Sequence, residues 1–233
     1  MAWRLFVVAS FVLTCSVPTL RADSGLGRHK KMYAVPAPGK VTIDGKLDDW
    51  DLSAQIHMYV VSETADTQGA RFALMYDKDA LYISGVMRDN TPMMNRHNPV
   101  ANGDWGWDAD VCQFRMVLDA KQGYPAKGST YVPKAEAKND QMVHMTMWYY
   151  TDAAEPALQM QYGMAYELPK AGYGPFGVIP HDKYEAKYLK SEDGQGYTFE
   201  YRVPWTTLEA NTPLKGGDLV AGTVQFNWGS RMG

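Results

Sequence analysis

The chain has 233 residues, 45% of them apolar, and 26 acidic against 23 basic side chains give a net charge of −3. That balance excludes a disordered chain, since enough apolar surface exists to offset the entropy of ordering. It also offers no basic stripe that would hold nucleic acid. Aromatic residues reach 12%, led by 15 Tyr and 7 Trp, an enrichment that suits strands and flat binding surfaces.

The first segment reads as a secretory leader, residues 1–22. Arg4 supplies the positive start, Leu5 to Val17 is almost wholly apolar, and Ala22 is a small residue at the cleavage position, although Leu20 before it is a poor match. The apolar run is too short to span a bilayer, and no later run is long enough, so no membrane span is expected in the mature chain. A secreted or periplasmic location follows. Cys15 ends the apolar run, but Thr14 before it disfavours lipoprotein anchoring there. With Cys15 removed, Cys112 stands alone and forms no internal disulfide; it reads as a small buried side chain in an apolar strand.

Residues 23–39, broken by Gly and Pro, read as a linker, and residues 40–233 as one domain. Val41–Ile43 forms a strand candidate, Asp44-Gly45 a turn, and Trp50 packs onto the domain while Asp48 and Asp49 stay wet. Strand patterns then recur at 56–61, 70–76, 81–87, 110–118, 141–150, 158–166, 184–190, 196–203 and 219–228. DKDA turns the second pattern into the third, which predicts an antiparallel hairpin. Residues 88–107, 119–140 and 167–183 read as loops. In 196–203, Tyr197, Phe199, Tyr201 and Val203 alternate with Thr198, Glu200 and Arg202, the period of a half-buried strand. Pro204 ends it, with a helical turn expected over PWTTL. No segment keeps a helical period over three turns. Many short strands between turn-rich loops predict an all-β fold, an antiparallel β-sandwich of two sheets with immunoglobulin-like or jelly-roll architecture.

One stretch carries the chemistry. NGDWGWDADVCQF, residues 102–114, places Trp105 and Trp107 beside Asp104, Asp108 and Asp110 at the mouth of a strand. A flat indole covers the C–H face of a sugar at little entropic cost, and residues i and i+2 share a face in extended chain. The bland alternative is that one indole plugs the end of the sandwich. Asp104, Asp108 and Asp110 supply hard oxygen ligands on a Gly-containing loop, the chemistry of calcium, yet they lack the glycine and terminal glutamate of the twelve-residue calcium loop. Aspartates that cap turns are the competing reading. In HMTMWYY, the pattern puts His144, Trp148 and Tyr150 on one face and Met145, Met147 and Tyr149 on the other. With methionines inward, the first face is offered to a ligand; a strand buried on both faces fits the same pattern.

Five segments stand in an informative order over residues 40–228: IDGKLDDW, ALMYDKDALYISGVMRDN, WDADVCQFRMVLD, GYTFEYRVPWTTL and GDLVAGTVQFNW. Together they resemble a family 9 carbohydrate-binding module, within the wider group of DOMON-like β-sandwiches. The resemblance implies a two-sheet sandwich and non-catalytic sugar recognition, in which two tryptophans clamp a terminal sugar. Trp107 matches one of them. Gln113 stands where the family has a glutamate that bonds sugar hydroxyls; glutamine still donates and accepts but without charge. The family's second tryptophan follows the last strand seen here, past Trp228-Gly-Ser-Arg-Met-Gly, where one or two further strands are also usual. Structural calcium, and an attached or associated glycoside hydrolase, are further implications.

Two rival functions remain. Some DOMON-like domains resemble b-type cytochromes that hold haem between Met and His or Met and Lys; His97 with Met93 or Met94, and His144 with Met142 or Met145, supply such atoms, and the absence of C-x-x-C-H excludes covalent haem. The aromatic face could equally recognise a protein in adhesion. Catalysis has thin support: Glu200 and Glu209 form a carboxylate pair only on paper, and Glu200 fits a cross-strand pair or a brace for the Pro204-Trp205 turn. The reading is an exported, non-enzymatic sandwich that binds a polysaccharide or oligosaccharide through Trp105, Trp107, Gln113, His144, Trp148 and Tyr150.

Overall fold

The structure is a computed structural model that describes residues 29–122, 141–163, 168–169 and 176–229. The leader over 1–22 lies outside the described residues, as do most of the 119–140 loop and parts of the 164–175 segment. Residues from Lys31 onward belong to one compact unit.

Among the described residues eleven strands run in chain order: β1 Ala34–Pro36, β2 Ile56–Tyr59, β3 Gly69–Tyr76, β4 Ala80–Arg88, β5 Val111–Val117, β6 Met142–Tyr150, β7 Glu155–Tyr162, β8 Leu168–Pro169, β9 Glu185–Lys190, β10 Gly196–Pro204 and β11 Gly222–Asn227. One sheet has six strands in the order β1-β3-β4-β10-β9, with β2 also on β3; the other has five, β11-β5-β6-β7-β8. The pairings are antiparallel except β1 on β3. The two-sheet antiparallel sandwich expected from the strand spacing is the fold.

Alternation decides which residues meet between the sheets. Phe72, Leu74, Leu81, Ile83, Tyr197, Phe199, Tyr201 and Val203 come from the first sheet; Cys112, Phe114, Met116, Met145, Met147, Leu158, Met160 and Phe226 come from the second. Phe72 packs on Phe114, and Phe199 on Phe226, across the layer. Tyr162, Tyr184, Tyr188 and Tyr201 in this core find partners for their hydroxyls. Tyr201 donates to the Ala157 carbonyl at 2.7 Å, and Tyr162 to that of Leu208 at 3.1 Å. Such bonds make a Tyr-rich core affordable, since an unpaired buried hydroxyl would oppose folding.

The β3–β4 hairpin forms as its sequence predicts. Asp77 accepts from the backbone N–H of Asp79 and Ala80, and Tyr82 donates to its other oxygen. Several boundaries differ. The expected linker contains β1, a short parallel addition without hydrophobic alternation. Val41–Ile43 is not a strand but packs as a loop. PWTTL forms turns in which Thr207 and Leu208 donate to the Pro204 carbonyl, with Trp205 Nε1 bonded to Asp77 O at 3.0 Å.

Each sheet also buries a smaller cluster on the face turned away from the core. On the first sheet, Val41 and Trp50 cover Ala73, Met75, Ala80 and Tyr82. On the second, Val111, Trp148 and Ala157 pack with Tyr150 and Val178. Loops that cross the outer faces make both clusters, and one of these loops carries the site.

Candidate binding site

The connection from β4 to β5, residues 89–110, crosses the outer face of the five-stranded sheet. Asn98-Pro99 starts its single α-turn, α1 Pro99–Asn102: Asn98 Oδ1 accepts from the N–H of Val100 and Ala101, and Pro99 has the fixed φ of a first helical residue. A 3-10 turn, Gly103–Trp105, follows directly. Gly106 then lies flat on the buried indole of Trp148; a Cβ there would meet three ring carbons at 3.0–3.1 Å. The Trp148 Nε1 donates to the His97 carbonyl at 3.1 Å, so the same ring supports the loop by packing and by hydrogen bond.

The loop is sewn down through its backbone. Asn95 Nδ2 donates to the carbonyls of Gly106 (2.8 Å) and Asp110 (3.3 Å), and Asn95 N donates to Thr151 Oγ1 at 2.8 Å. From the strand side, Asn227 Nδ2 donates to the Trp107 carbonyl at 2.7 Å, and Gln225 Nε2 donates to Asn227 Oδ1 at 2.9 Å. With the main chain held from below, the two indole side chains point outward. Trp105 is 50% and Trp107 44% exposed, and their rings stack with centroids 5.9 Å apart and planes 24° apart. Val100 on the same loop is also exposed. Large apolar side chains left in water beside each other ask for an occupant more than a scattered one does.

Next to the indoles runs a polar row fixed by strand register. Gln225 faces Gln113, Gln113 faces Thr146, and Thr146 faces Gln159. Gln225 is exposed and Gln113 half-buried, whereas Thr146 and Gln159 are buried. Gln159 is occupied by the Phe176 carbonyl. The accessible end of the row is therefore the end beside Trp107.

Beneath the loop sits a pair of buried carboxylates. Asp110 Oδ2 accepts from Met94 N at 2.9 Å and Oδ1 from Gly229 N at 2.6 Å. Asp89 accepts from Thr91 through Oδ1, and its Oδ2 is buried with no partner among the described residues. Burial, with the Asp89 charge adding to it, pushes Asp110 up to about 8, which favours a protonated carboxyl beside Asp89. Asp110 thus ties β5 to the 93–95 segment and to the chain after β11.

The expected site residues divide. Trp105, Trp107 and Gln113 lie together at the exposed end of the outer face. Trp148 is 0% exposed, so its ring is not open to a ligand; the expectation that this strand face is free gives way because the 95–107 loop covers it. His144 is buried as well, and burial together with the Arg115 guanidinium on the facing strand pushes it down to about 3, which keeps it neutral. Tyr150 is half-buried, its hydroxyl accepting from Asn98 Nδ2. Asp104 and Asp108 are exposed while Asp110 is turned inward, so the three do not converge. Among the described residues no group of three or more His, Cys, Asp or Glu is placed to hold a metal. His97 is buried under the loop, its Nδ1 beside Asn102.

Glu200 also departs from expectation. It is fully buried on the outer face of the six-stranded sheet, where Oε1 accepts from Trp50 Nε1 at 2.6 Å and Oε2 from Asp44 N and Gly45 N. It anchors the IDGKLDDW loop rather than pairing across strands, and burial pushes it up to about 7. Sequence reasoning missed Asn95, Asn227 and Asp89. Only the glycine between two tryptophans signalled a close backbone approach, and it was readable as a loop residue.

No family model matches the sequence, and no curated protein matches it. Among solved structures the chain is similar to a carbohydrate binding module family 9 (CBM9) from Caldicellulosiruptor kristjanssonii in complex with glucose, at 16% identity and a TM-score of 0.47, over 86% of this chain and 80% of that one. It is also similar to a family 9 module from the same organism in complex with cellotriose, at 16% identity and a TM-score of 0.47, over 85% and 76% of the two chains. Among the described residues no helix is long and apolar enough to cross a membrane.

Proposed function

We propose that the protein binds carbohydrate without altering it, as an exported module accessory to polysaccharide breakdown. The observation that carries this reading is the Trp105–Trp107 pair: two stacked, half-exposed indoles held outward by hydrogen bonds to the loop backbone. Each ring covers one face with the other and leaves an outer face for the C–H side of a pyranose. The Gln113 side-chain amide makes no hydrogen bond among the described residues, and it lies on the same strand face as Gln225 and Asn227, where it can meet sugar hydroxyls through both donor and acceptor.

Covering the exposed half of one indole is worth about 2 kcal/mol from its apolar area. Two rings and one or two hydrogen bonds, set against the cost of association, give a dissociation constant in the range of about 10 μM to 1 mM. Export rests on Arg4 and the apolar run after it, and an accessory role fits an affinity of this size.

The test is tryptophan fluorescence and affinity electrophoresis against xylan, cellulose, and free sugars including glucose and cellotriose. A saturable response that disappears in Trp107→Ala, with the unfolding transition unchanged, is the expected result. A folded protein that answers to none of these glycans would overturn the reading.

A further inference from the structure

The stacked indoles stand between two exposed carboxylates. Gly103 to Asp108 forms two overlapping turns: Gly106 N donates to the Gly103 carbonyl at 3.3 Å, and Asp108 N to that of Trp105 at 2.9 Å. The ends of such a turn lie within about 7 Å of each other, so Asp104, Trp105, Trp107 and Asp108 gather on one small knob. Asp104 and Asp108 are exposed. Among the described residues neither enters an ion pair. Asp89 and Asp110 of the same connection are turned inward instead.

Cations are scarce beside this knob. Arg96 is the one Arg or Lys between residues 89 and 110, and Asp152 accepts from its Nε at 2.7 Å. On the neighbouring polar row, Gln113, Gln225 and Asn227 are uncharged. Arg115 stands two residues farther along β5, half-buried, opposite Thr223 on one side and His144 on the other.

The aspartates alone are only a solvated turn, and the indoles alone stack on any pyranose. Together they select by charge. The face of an indole draws a cation through its ring quadrupole, and carboxylates at the rim add to that attraction. A carboxylate on the ligand meets the same field with the opposite sign. We propose that the Trp105–Trp107 platform prefers glycans bearing free amino groups, polymers of glucosamine, to neutral ones, and disfavours those bearing uronic acids. The inference rests on the sugar-binding reading of the same loop and adds which sugar it selects. The pyranose stacks on an outer indole face, its C2 ammonium donates to Asp104 or Asp108, and Gln113 meets the hydroxyls that a bare ammonium lacks.

The test compares three β-1,4 hexasaccharides that differ only at C2: hexaglucosamine, cellohexaose and hexa-N-acetylglucosamine. Each is titrated into the full chain at about pH 5.5, where exposed carboxylates are ionised and glucosamine amines are protonated. Hexaglucosamine should bind about five- to tenfold more tightly than the other two at low salt, and salt should erode that margin. Asp104→Asn combined with Asp108→Asn should bring its affinity down to that of cellohexaose. Trp107→Ala should remove the preference, because the net charge of −3 by itself gives no site. Cellohexaose bound as well as hexaglucosamine overturns the proposal and leaves the glycan reading standing. Hexa-N-acetylglucosamine bound as tightly as hexaglucosamine also overturns it, since charge is then not what is read. So does a preference that survives in Trp107→Ala, which assigns it to bulk charge. A folded chain that answers to none of the three overturns both readings.

Discussion

Two loops of this protein have nearly the same composition and opposite fates. IDGKLDDW and NGDWGWDAD each combine glycine, aspartate and tryptophan, and each crosses the outer face of a sheet. The first hides its indole: Trp50 is 7% exposed, and its Nε1 is bound by Glu200 from the sheet below. The second shows its indoles, because its carbonyls are held instead: Asn95, from the same connection, bonds that of Gly106, and Asn227, at the end of β11, bonds that of Trp107. The difference lies in which part of the tryptophan is hydrogen-bonded. An anchor on the ring nitrogen pulls the ring down; an anchor on the backbone leaves the ring free. In the second loop the buried ring that the cluster needs comes from a strand, Trp148, so the loop's own indoles are spare.

The sharpest way to break the comparison is truncation on each side. Trp50→Ala should cost about 3–5 kcal/mol, the loss of a buried aromatic with a paired nitrogen. Trp107→Ala should cost less than about 1 kcal/mol, as expected of a surface change, yet remove sugar binding. Chemical denaturation of the two variants measures both. Similar costs would mean that the exposed pair is part of the fold.

Next in size is the response to pH, since each loop is held by a buried carboxyl with a raised pKa: Glu200 at about 7 and Asp110 at about 8. Both values lie above the unfolded ones of 4.5 and 3.8. The folded state therefore holds more protons between these limits. Their stabilising contribution is complete below about pH 4 and is lost as pH rises through 7 and 8, by on the order of a few kcal/mol in all. Thermal unfolding of Asp110→Asn and Glu200→Gln should each show a shallower decline over that range than the parent chain. A decline of equal slope in all three would place the titration elsewhere.

Smaller effects sharpen the geometry of the second loop. Gly106→Ala drives a methyl into the Trp148 ring and should cost about 1–3 kcal/mol while loosening the platform, so unfolding and sugar titration fall together. Asn227→Ala removes one hydrogen bond to the Trp107 carbonyl; it should cost about 1 kcal/mol in stability and weaken binding several-fold.

The strands were legible because their patterns are local. Tyr197 to Val203 alternates cleanly, and Asp77 announces its turn. Trp105 and Trp107 were legible as a pair because they stand two residues apart in sequence, whereas Gln113 entered only through the family resemblance. The fate of Trp148 was not legible, since burial on its outer face depends on a loop some 40 residues earlier that happens to cross it. Glu200 read as half of a cross-strand pair or as a brace for the Pro204-Trp205 turn for the same reason: its partners, Trp50 and Gly45, lie 150 and 155 residues away. Strand β1 was missed because it is a three-residue parallel addition, bonded through backbone alone and free of any periodic signal.

The most direct test of the central claim is a titration of the indole N–H resonances in isotopically labelled protein with an oligosaccharide that it binds. The signals of Trp105 and Trp107 should shift with saturation, while those of Trp50, Trp148 and Trp205, each bonded inside the fold, should hold still. Shifts confined to the buried tryptophans, or none at all from the exposed pair at saturating sugar, would contradict the account.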